Sequence, residues 1–86
     1  MNVPATYKEE ALRNAEAEAA MTRYCHAHPR SPSARRRPRI FFRGQNCIVL
    51  LGSTLQDGVA GIGGSIESAL RAFDLQYAAS VKRSRE

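Results

Sequence analysis

The stretch that decides the fold is residues 59–81, VAGIGGSIESALRAFDLQYAASV. It begins with a short apolar segment that contains two glycines, Gly61 and Gly63, which are typical of a strand with tight backbone packing or a bulge. Ser65 stands where a helix N-cap belongs, and Glu67 in the first turn suits the positive end of a helix. Apolar residues then recur with helical period over four turns. These residues are Ile66, Ala69, Leu70, Phe73, Tyr77 and Val81. The pattern predicts a strand over residues 59–62 and a C-terminal helix with one apolar face.

The residues before this stretch predict two more strands. Residues 39–43, RIFFR, are a short β-prone run, and residues 44–46 favour a hairpin turn. Residues 47–51, CIVLL, are a continuous apolar run with the length of a central strand. Three consecutive strands with short connections form an antiparallel meander. We expect one set of apolar strand residues to be buried together under the C-terminal helix. The set is Ile40, Phe42, Ile48, Leu50, Val59 and Ile62.

An alanine-rich helix is predicted over residues 7–28, which contain neither glycine nor proline. The stripe expected to be buried is Leu12, Ala15, Ala19 and Tyr24, with Met21 and Cys25 adjoining. A stripe this thin predicts weak docking or pairing with a second copy, because isolated helices are marginally stable. Residues 29–38, rich in proline, serine and arginine, are expected to be a linker. The predicted fold is therefore α+β in the order α-β-β-β-α, with a helix over 1–28 and a βββα domain over 39–86.

The size and composition of the chain indicate a small globular protein. Its 86 residues make one small domain, and its 43% apolar and 24% charged content is ordinary for a globular chain. No apolar run approaches the roughly 18–20 residues that span a bilayer. Two cysteines do not make a disulfide-dense scaffold, so we expect a cytoplasmic protein. A core this small is compatible with stabilisation by homodimerisation.

Positive charge is concentrated in the middle of the sequence. The chain carries a net charge of +5, yet residues 21–56 hold seven arginines and no acid. The candidate binding residues are Arg35, Arg36, Arg37, Arg39 and Arg43. One interpretation is structural: a solvated linker followed by an edge strand whose charges discourage aggregation. The others are contact with nucleic-acid phosphates and contact with an acidic protein groove. Phe41, beside these charges, is either a stacking platform for bases or a residue packed under the N-terminal helix.

The second half of the chain carries a motif that we compare with known families. It reads Gly63-Gly64-Ser65-Ile66-Glu67-Ser68-Ala69-Leu70, with Gly58 five residues before Gly63. In spacing, this resembles the HicB-like antitoxin domain, and the similar portion spans about residues 39–81. The resemblance implies a non-enzymatic protein that engages a protein partner, such as a toxin-like or RNA-acting protein, through its sheet or edge strand. The chain differs from the family pattern in having no proline in residues 53–57 and one acid, Glu67, in place of a pair.

The same order of elements is also similar to the double-stranded RNA-binding domain. Gly61, Gly63, Ser65 and Ala69 match the spacing at its last strand–helix junction. That family places a lysine cluster at the start of its second helix, where this chain has residues 66–68, Ile-Glu-Ser. An acid where phosphates would lie argues against that binding mode. Nucleic-acid binding through the five candidate arginines, in a different mode, is therefore the alternative function.

Other site chemistries have less support. Cys25, His26, His28 and Cys47 lack the paired spacing of zinc ligands, and no acid nearby would orient a cysteine–histidine catalytic pair. The glycines of residues 58–64 lack the full spacing of a phosphate-binding loop, and Glu67 would repel a phosphate there. We therefore predict no catalytic residue, no metal site and no cofactor, and a protein that is not an enzyme.

Overall fold

The computed structural model describes residues 5–84, with side chains described for residues 14–81. Its elements are α1 (Ala5–Ala27), α2 (Pro32–Arg36), β1 (Arg39–Arg43), β2 (Asn46–Leu51), β3 (Val59–Gly63) and α3 (Ile66–Ser84). The strands form an antiparallel meander, and α3 packs on the sheet. The predicted α+β fold, with a helix, three strands and a helix in that order, is confirmed. The one-turn helix α2 is an addition to it.

The register of the sheet explains the apolar run of β2. This strand lies between β1 and β3, as its continuous apolar sequence predicted. Successive side chains of a strand point to opposite faces, so a run that is apolar throughout serves both faces. Cys47 and Val49 face the helices, whereas Ile48 and Leu50 face away from them, and all four are buried.

The main core lies between the sheet and the helices. Ala69, Leu70 and Phe73 of α3 have no exposed surface, and they pack with Cys47 and Val49. Met21 and Tyr24 of α1 complete this cluster. The predicted stripe of α3 is thus correct over its first three turns, while its last member, Val81, is exposed.

The predicted set of buried strand residues is divided between the two faces of the sheet. Ile40, Phe42 and Val59 pack under the helices as expected. Ile48 and Ile62, together with Leu50, lie on the opposite face. The reason is the register, because Phe42 pairs with Cys47 and so shares its face with Cys47 rather than with Ile48.

The stripe predicted for α1 is correct at Tyr24, Met21 and Cys25, which lie in or against the core, and wrong at its two alanines. Ala15 and Ala19 are exposed, and the buried residues are Ala17, Met21 and Tyr24, spaced by four and three. Leu12 lies outside the described side chains. In an alanine-rich helix most faces look alike, so the two large side chains decide which face is buried.

The segment predicted to be a linker contains helix α2. Ser31 caps it, because its hydroxyl accepts a hydrogen bond from the Ala34 N–H at 3.2 Å. Pro32 occupies the first turn, where its missing N–H costs nothing, and Arg37 ends the helix in the left-handed conformation, with φ of 52°. The Ser-Pro pair that indicated a linker is therefore a helix start.

The carboxylate of Asp74 on α3 joins all three helices. Its Oδ1 accepts hydrogen bonds from the Ser33 hydroxyl at 2.7 Å and from the Ser33 N–H at 2.8 Å. Its Oδ2 accepts one from the Tyr24 hydroxyl at 2.6 Å. Burial, together with this bond to a carboxylate, raises the pKa of Tyr24 to about 12. Asp74 thus holds α1 and α2 against α3.

Two glycines let α3 approach β3 closely, so of the two possibilities that the sequence left open, tight backbone packing is the one observed. A Cβ at Gly61 would meet the backbone of Ala69 and Phe73, and a Cβ at Gly63 would meet Ser68 and Ala69. Backbone atoms of a helix cannot move aside as the end of a flexible side chain can. The position of α3 on the sheet therefore depends on the absence of side chains at these two positions.

We expect Gly61→Ala to lower the free energy of unfolding by about 2–3 kcal/mol, because the added methyl group forces α3 away from β3. Urea unfolding followed by circular dichroism measures this. Gly64→Ala is the matched control: no atom lies within 4 Å of a Cβ there, so the change should stay within about 1 kcal/mol. Equal stability of the two variants would contradict the close approach at Gly61.

We expect Asp74→Ala to lower the free energy of unfolding by about 2–4 kcal/mol, because it leaves the Ser33 and Tyr24 donors without their acceptor. Thermal and urea unfolding measure the loss. Glu67→Ala is the control on the same helix, since Glu67 makes an exposed ion pair with Arg71 at 3.1 Å, worth little in water. A similar loss in both variants would show that Asp74 has no special role.

Candidate binding surface

The face of the sheet that points away from the helices carries a row of apolar side chains. Phe41, Ile48 and Ile62 are neighbours across β1, β2 and β3 in the register of the sheet. The helices pack on the other face through Cys47 and Val49, so within residues 5–84 no helix lies over this row. Ile62 is 57% exposed. We call this surface the open face.

Buried residues at the centre of the open face are shielded by neighbours in the sheet and in the loop after β2. Ile48 lies between Phe41 and Ile62 and is 4% exposed. Leu50, equally buried, contacts the position of Gly58 in the loop after β2. The face therefore has an apolar centre whose outer members, Phe41 and Ile62, remain accessible to a partner.

Two of the five candidate arginines lie on the open face. Arg39 and Arg43 are two residues before and after Phe41 on β1, so strand alternation places all three on one side. The Arg39 guanidinium donates a hydrogen bond to the Gly52 carbonyl at 3.0 Å. The edge strand thus presents an arginine, an aromatic ring and a second arginine beside the apolar row.

The other three arginines do not share this arrangement. Arg36 donates a hydrogen bond from Nε to the Tyr77 hydroxyl at 2.9 Å and lies over the Tyr77 ring. Arg37 points its Nη1 at the Cys25 sulfur, 3.6 Å away. Arg35 is exposed on α2. The five candidate arginines are therefore divided. Arg36 and Arg37 contact side chains of the helices, whereas Arg39 and Arg43 lie on the open face.

Arg39 and Arg43 form no ion pair with a side chain of residues 14–81, although Glu18 of α1 lines a cavity together with Arg39. Among the side chains of residues 14–81, the one ion pair joins Arg71 and Glu67 on the surface of α3. Residues 21–56 contain no acid, so the sequence neighbours of β1 supply no counter-charge. The open face consequently favours a ligand that carries negative charge at its margins.

Phe41 lies on the open face rather than under the N-terminal helix. Its neighbours Ile40 and Phe42 point to the opposite side, where they pack against the main core. Of the two positions that the sequence left open for Phe41, the accessible one is therefore observed, and its ring is half-buried beside Ile48.

Two separate cavities lie beside the edge strand β1. One, of about 640 Å³, lies between α1 and β1, and its lining includes Ala17, Glu18, Met21, Arg39 and Ile40. The other, of about 420 Å³, lies between Glu16 of α1, Phe42 of β1 and the start of α3 at Ile66. Ile40 and Phe42 are both half-buried.

The residues considered for metal binding or catalysis are dispersed. Cys25 and Cys47 are both free thiols, and burial raises the pKa of the Cys47 thiol, which is the opposite of an activated nucleophile. Within the described residues no group of three or more His, Cys, Asp or Glu side chains is arranged to hold a metal ion. At the start of α3 the Ser65 hydroxyl accepts a hydrogen bond from the Ser68 N–H at 3.1 Å, as the predicted N-cap requires.

Comparison with protein-family models, with curated proteins and with solved structures gave no match to this chain. The resemblance to the HicB-like domain therefore stays a prediction drawn from residues 58–70. None of the helices within residues 5–84 has the length and apolar content needed to cross a membrane.

We expect Ile62→Ser to change the free energy of unfolding by less than about 0.5 kcal/mol, because this side chain is already largely exposed to water. Ile48→Ser, in the same row, should cost about 2 kcal/mol or more, since it removes a buried apolar side chain. Urea unfolding of the purified chain compares the two. A large loss in Ile62→Ser would mean that the open face is covered in the free protein.

Proposed function

We propose that this chain is a small non-enzymatic binding protein, antitoxin-like in role, that engages an acidic protein partner through its open face. The observation that carries the proposal is the row of Phe41, Ile48 and Ile62, left without a helix and flanked by Arg39 and Arg43. An apolar centre with a polar rim is the usual composition of a protein interface. Aromatic residues and arginine are also those most often found to dominate binding energy.

The side chains of the open face favour a protein over nucleic acid. Unpaired bases bind proteins by stacking on aromatic rings, and Phe41 is the aromatic residue of this row. Ile62, which is 57% exposed, offers aliphatic surface, which suits apolar side chains of a protein. The hydrogen bonds of Arg36 and Arg37 with the helical layer also reduce the number of arginines grouped beside Phe41.

The charge of the open face restricts the partner further. A partner that acts on RNA would meet Arg39 and Arg43 with a surface other than the basic one that contacts phosphates, because two basic surfaces repel each other. A second copy of this chain would bring the same two arginines together across the interface. A partner with carboxylates around an apolar ridge avoids both kinds of charge repulsion, because its carboxylates attract Arg39 and Arg43. The cytoplasm is the proposed setting, because both cysteines are free thiols.

Nucleic-acid binding is the second candidate function. It is favoured by the seven arginines and absent acids of residues 21–56 and by the exposure of Arg35. Binding of this kind would rely on phosphate contacts, and its affinity would fall steeply with salt concentration.

Affinity purification of the tagged full chain, with and without nuclease treatment, tests the proposal. We expect a stoichiometric protein partner that survives nuclease and is lost with Ile62→Lys, which places a charge in the apolar row. Leu75→Lys is the matched control, because Leu75 is an exposed apolar residue, 68% accessible, on the outer surface of α3. The control variant should retain the partner.

Two outcomes would contradict the proposal. Loss of the partner in Leu75→Lys but not in Ile62→Lys would place binding on the helical layer. Recovery of nucleic acid that is removed by nuclease, and weakened when Arg35, Arg36 and Arg37 are changed to alanine, would favour the second candidate function instead.

A further inference from the structure

The apolar row of the open face has the width of a single helix. Phe41, Ile48 and Ile62 are aligned across the three strands. Because neighbouring strands lie about 4.8 Å apart, the backbones at the two ends of this row are about 10 Å apart. A helix with its side chains is about 10–12 Å across. One helix lying along β2 would therefore cover the row from end to end.

We infer that the partner binds the open face with an amphipathic helix, whose apolar stripe covers the row and whose flank carries two acidic residues seven positions apart. The inference rests on the proposed function and specifies the segment with which the acidic partner binds. Three features of the described residues carry it: the width of the row, the direction of the backbone hydrogen bonds in the sheet, and the positions of Arg39 and Arg43.

The open face offers side chains to a partner but no backbone hydrogen-bonding groups. The backbone N–H and C=O groups of β2 lie in the plane of the sheet and point to β1 and β3. A single extended segment laid on this face would lose water from its own backbone groups without finding partners for them. A helix bonds these groups internally. The opposite face of the same sheet is packed in this way, by α3.

The apolar row has accessible surface at its two ends. Ile62 is 57% exposed, and Phe41 is half-buried, whereas Ile48 between them is buried. A helix centred over Ile48 would contact all three with residues at i, i+3, i+4 and i+7 of its apolar stripe. The contact would remove the exposed parts of Phe41 and Ile62 from water, which favours binding in proportion to the apolar area buried.

The two arginines determine where the helix carries its acids. Arg39 and Arg43 lie on the same side of β1 and are four residues apart, which is about 13 Å along a strand. Helical residues seven positions apart lie on one side of the helix, about 10.5 Å apart. The long side chains of arginine and glutamate span the difference. Either flank of the helix suits this pairing, because the helix can lie along β2 in either direction.

Arg39 keeps donors for a carboxylate of the partner. One of its N–H groups bonds the Gly52 carbonyl at 3.0 Å, and a guanidinium has several more. A carboxylate placed on the flank of the helix can therefore bind Arg39 without breaking that hydrogen bond.

The helices of a second copy of this chain do not supply the segment. The large apolar side chains of α1, Met21 and Tyr24, are buried in the core of their own copy, as are Leu70 and Phe73 of α3. Presenting either stripe to another copy would expose that core. The helix is therefore assigned to a different protein.

A synthetic helix tests the inference on the full chain. The probe is a blocked, fluorescein-labelled peptide of about four helical turns, titrated by fluorescence anisotropy at low salt. It has leucines along one stripe, two glutamates seven positions apart on a flank, and alanine and glutamine elsewhere. We expect it to bind at least tenfold more tightly than the same peptide with lysines in place of the glutamates. Replacing two central alanines with prolines should weaken binding at least tenfold, because proline breaks the helix.

Variants of the chain locate the bound peptide. With Arg39→Glu and Arg43→Glu, both at exposed positions, the preference should reverse in favour of the lysine peptide. Ile62→Lys should weaken binding at least tenfold, whereas Leu75→Lys, on the outer surface of α3, should leave the affinity unchanged. Circular dichroism should show that the peptide gains helix when it binds the unchanged protein.

The results that would overturn the inference differ from those that would overturn the proposed function. Absence of peptide binding at 1 mM, equal binding of the proline peptide, or equal binding of the lysine peptide rejects the acidic helix. If the natural partner is nevertheless lost with Ile62→Lys and kept with Leu75→Lys, the open face still binds it and only the helix is rejected. Retention of the natural partner by Ile62→Lys rejects the proposed function itself.

Discussion

The contact between the backbone of α3 and β3 is the constraint on which the rest of the structure depends. Because Gly61 and Gly63 carry no side chains, α3 lies directly on the sheet and places Leu70 and Phe73 over the central strand. The same placement turns Asp74 toward α1 and α2, where it accepts the hydrogen bonds of Tyr24 and Ser33. One close backbone contact thus positions the core and the residue that joins the helices.

The helices of residues 5–84 pack on one face of the sheet, which leaves the other face without a helix. The open face keeps Phe41 and Ile62 accessible, and it carries Arg39 and Arg43 of the edge strand β1. In a chain with few large apolar residues, this apolar row adds nothing to the helix-side core. Its position beside Arg39 and Arg43 is the observation on which the proposed interaction with an acidic protein rests.

The sequence predicted the elements well where the signals are local. Ser65, Glu67 and the apolar period of α3 predict that helix, and residues 39–43 and 47–51 predict the first two strands, because propensity and periodicity act over a few neighbours. The cluster of Asp74 with Ser33 and Tyr24 was not predicted. These two residues precede Asp74 by 41 and 50 positions in the sequence, and no local pattern marks any of the three. Similarly, CIVLL is apolar on both faces, so the register alone decides that Ile48 belongs to the open face. All five candidate arginines were identified from the sequence. Only the folded chain shows that Arg39 and Arg43 lie on the open face, whereas Arg36 and Arg37 contact the helices.

The central claim is that the open face, and not the helical layer, meets the partner. Hydroxyl-radical footprinting of the free chain and of the captured complex tests it most directly, because it reports the solvent access of individual side chains. We predict that Phe41 and Ile62 are modified in the free chain and protected in the complex, while Leu75 is modified equally in both. Protection of Leu75 with unchanged modification of Phe41 and Ile62 would contradict the account.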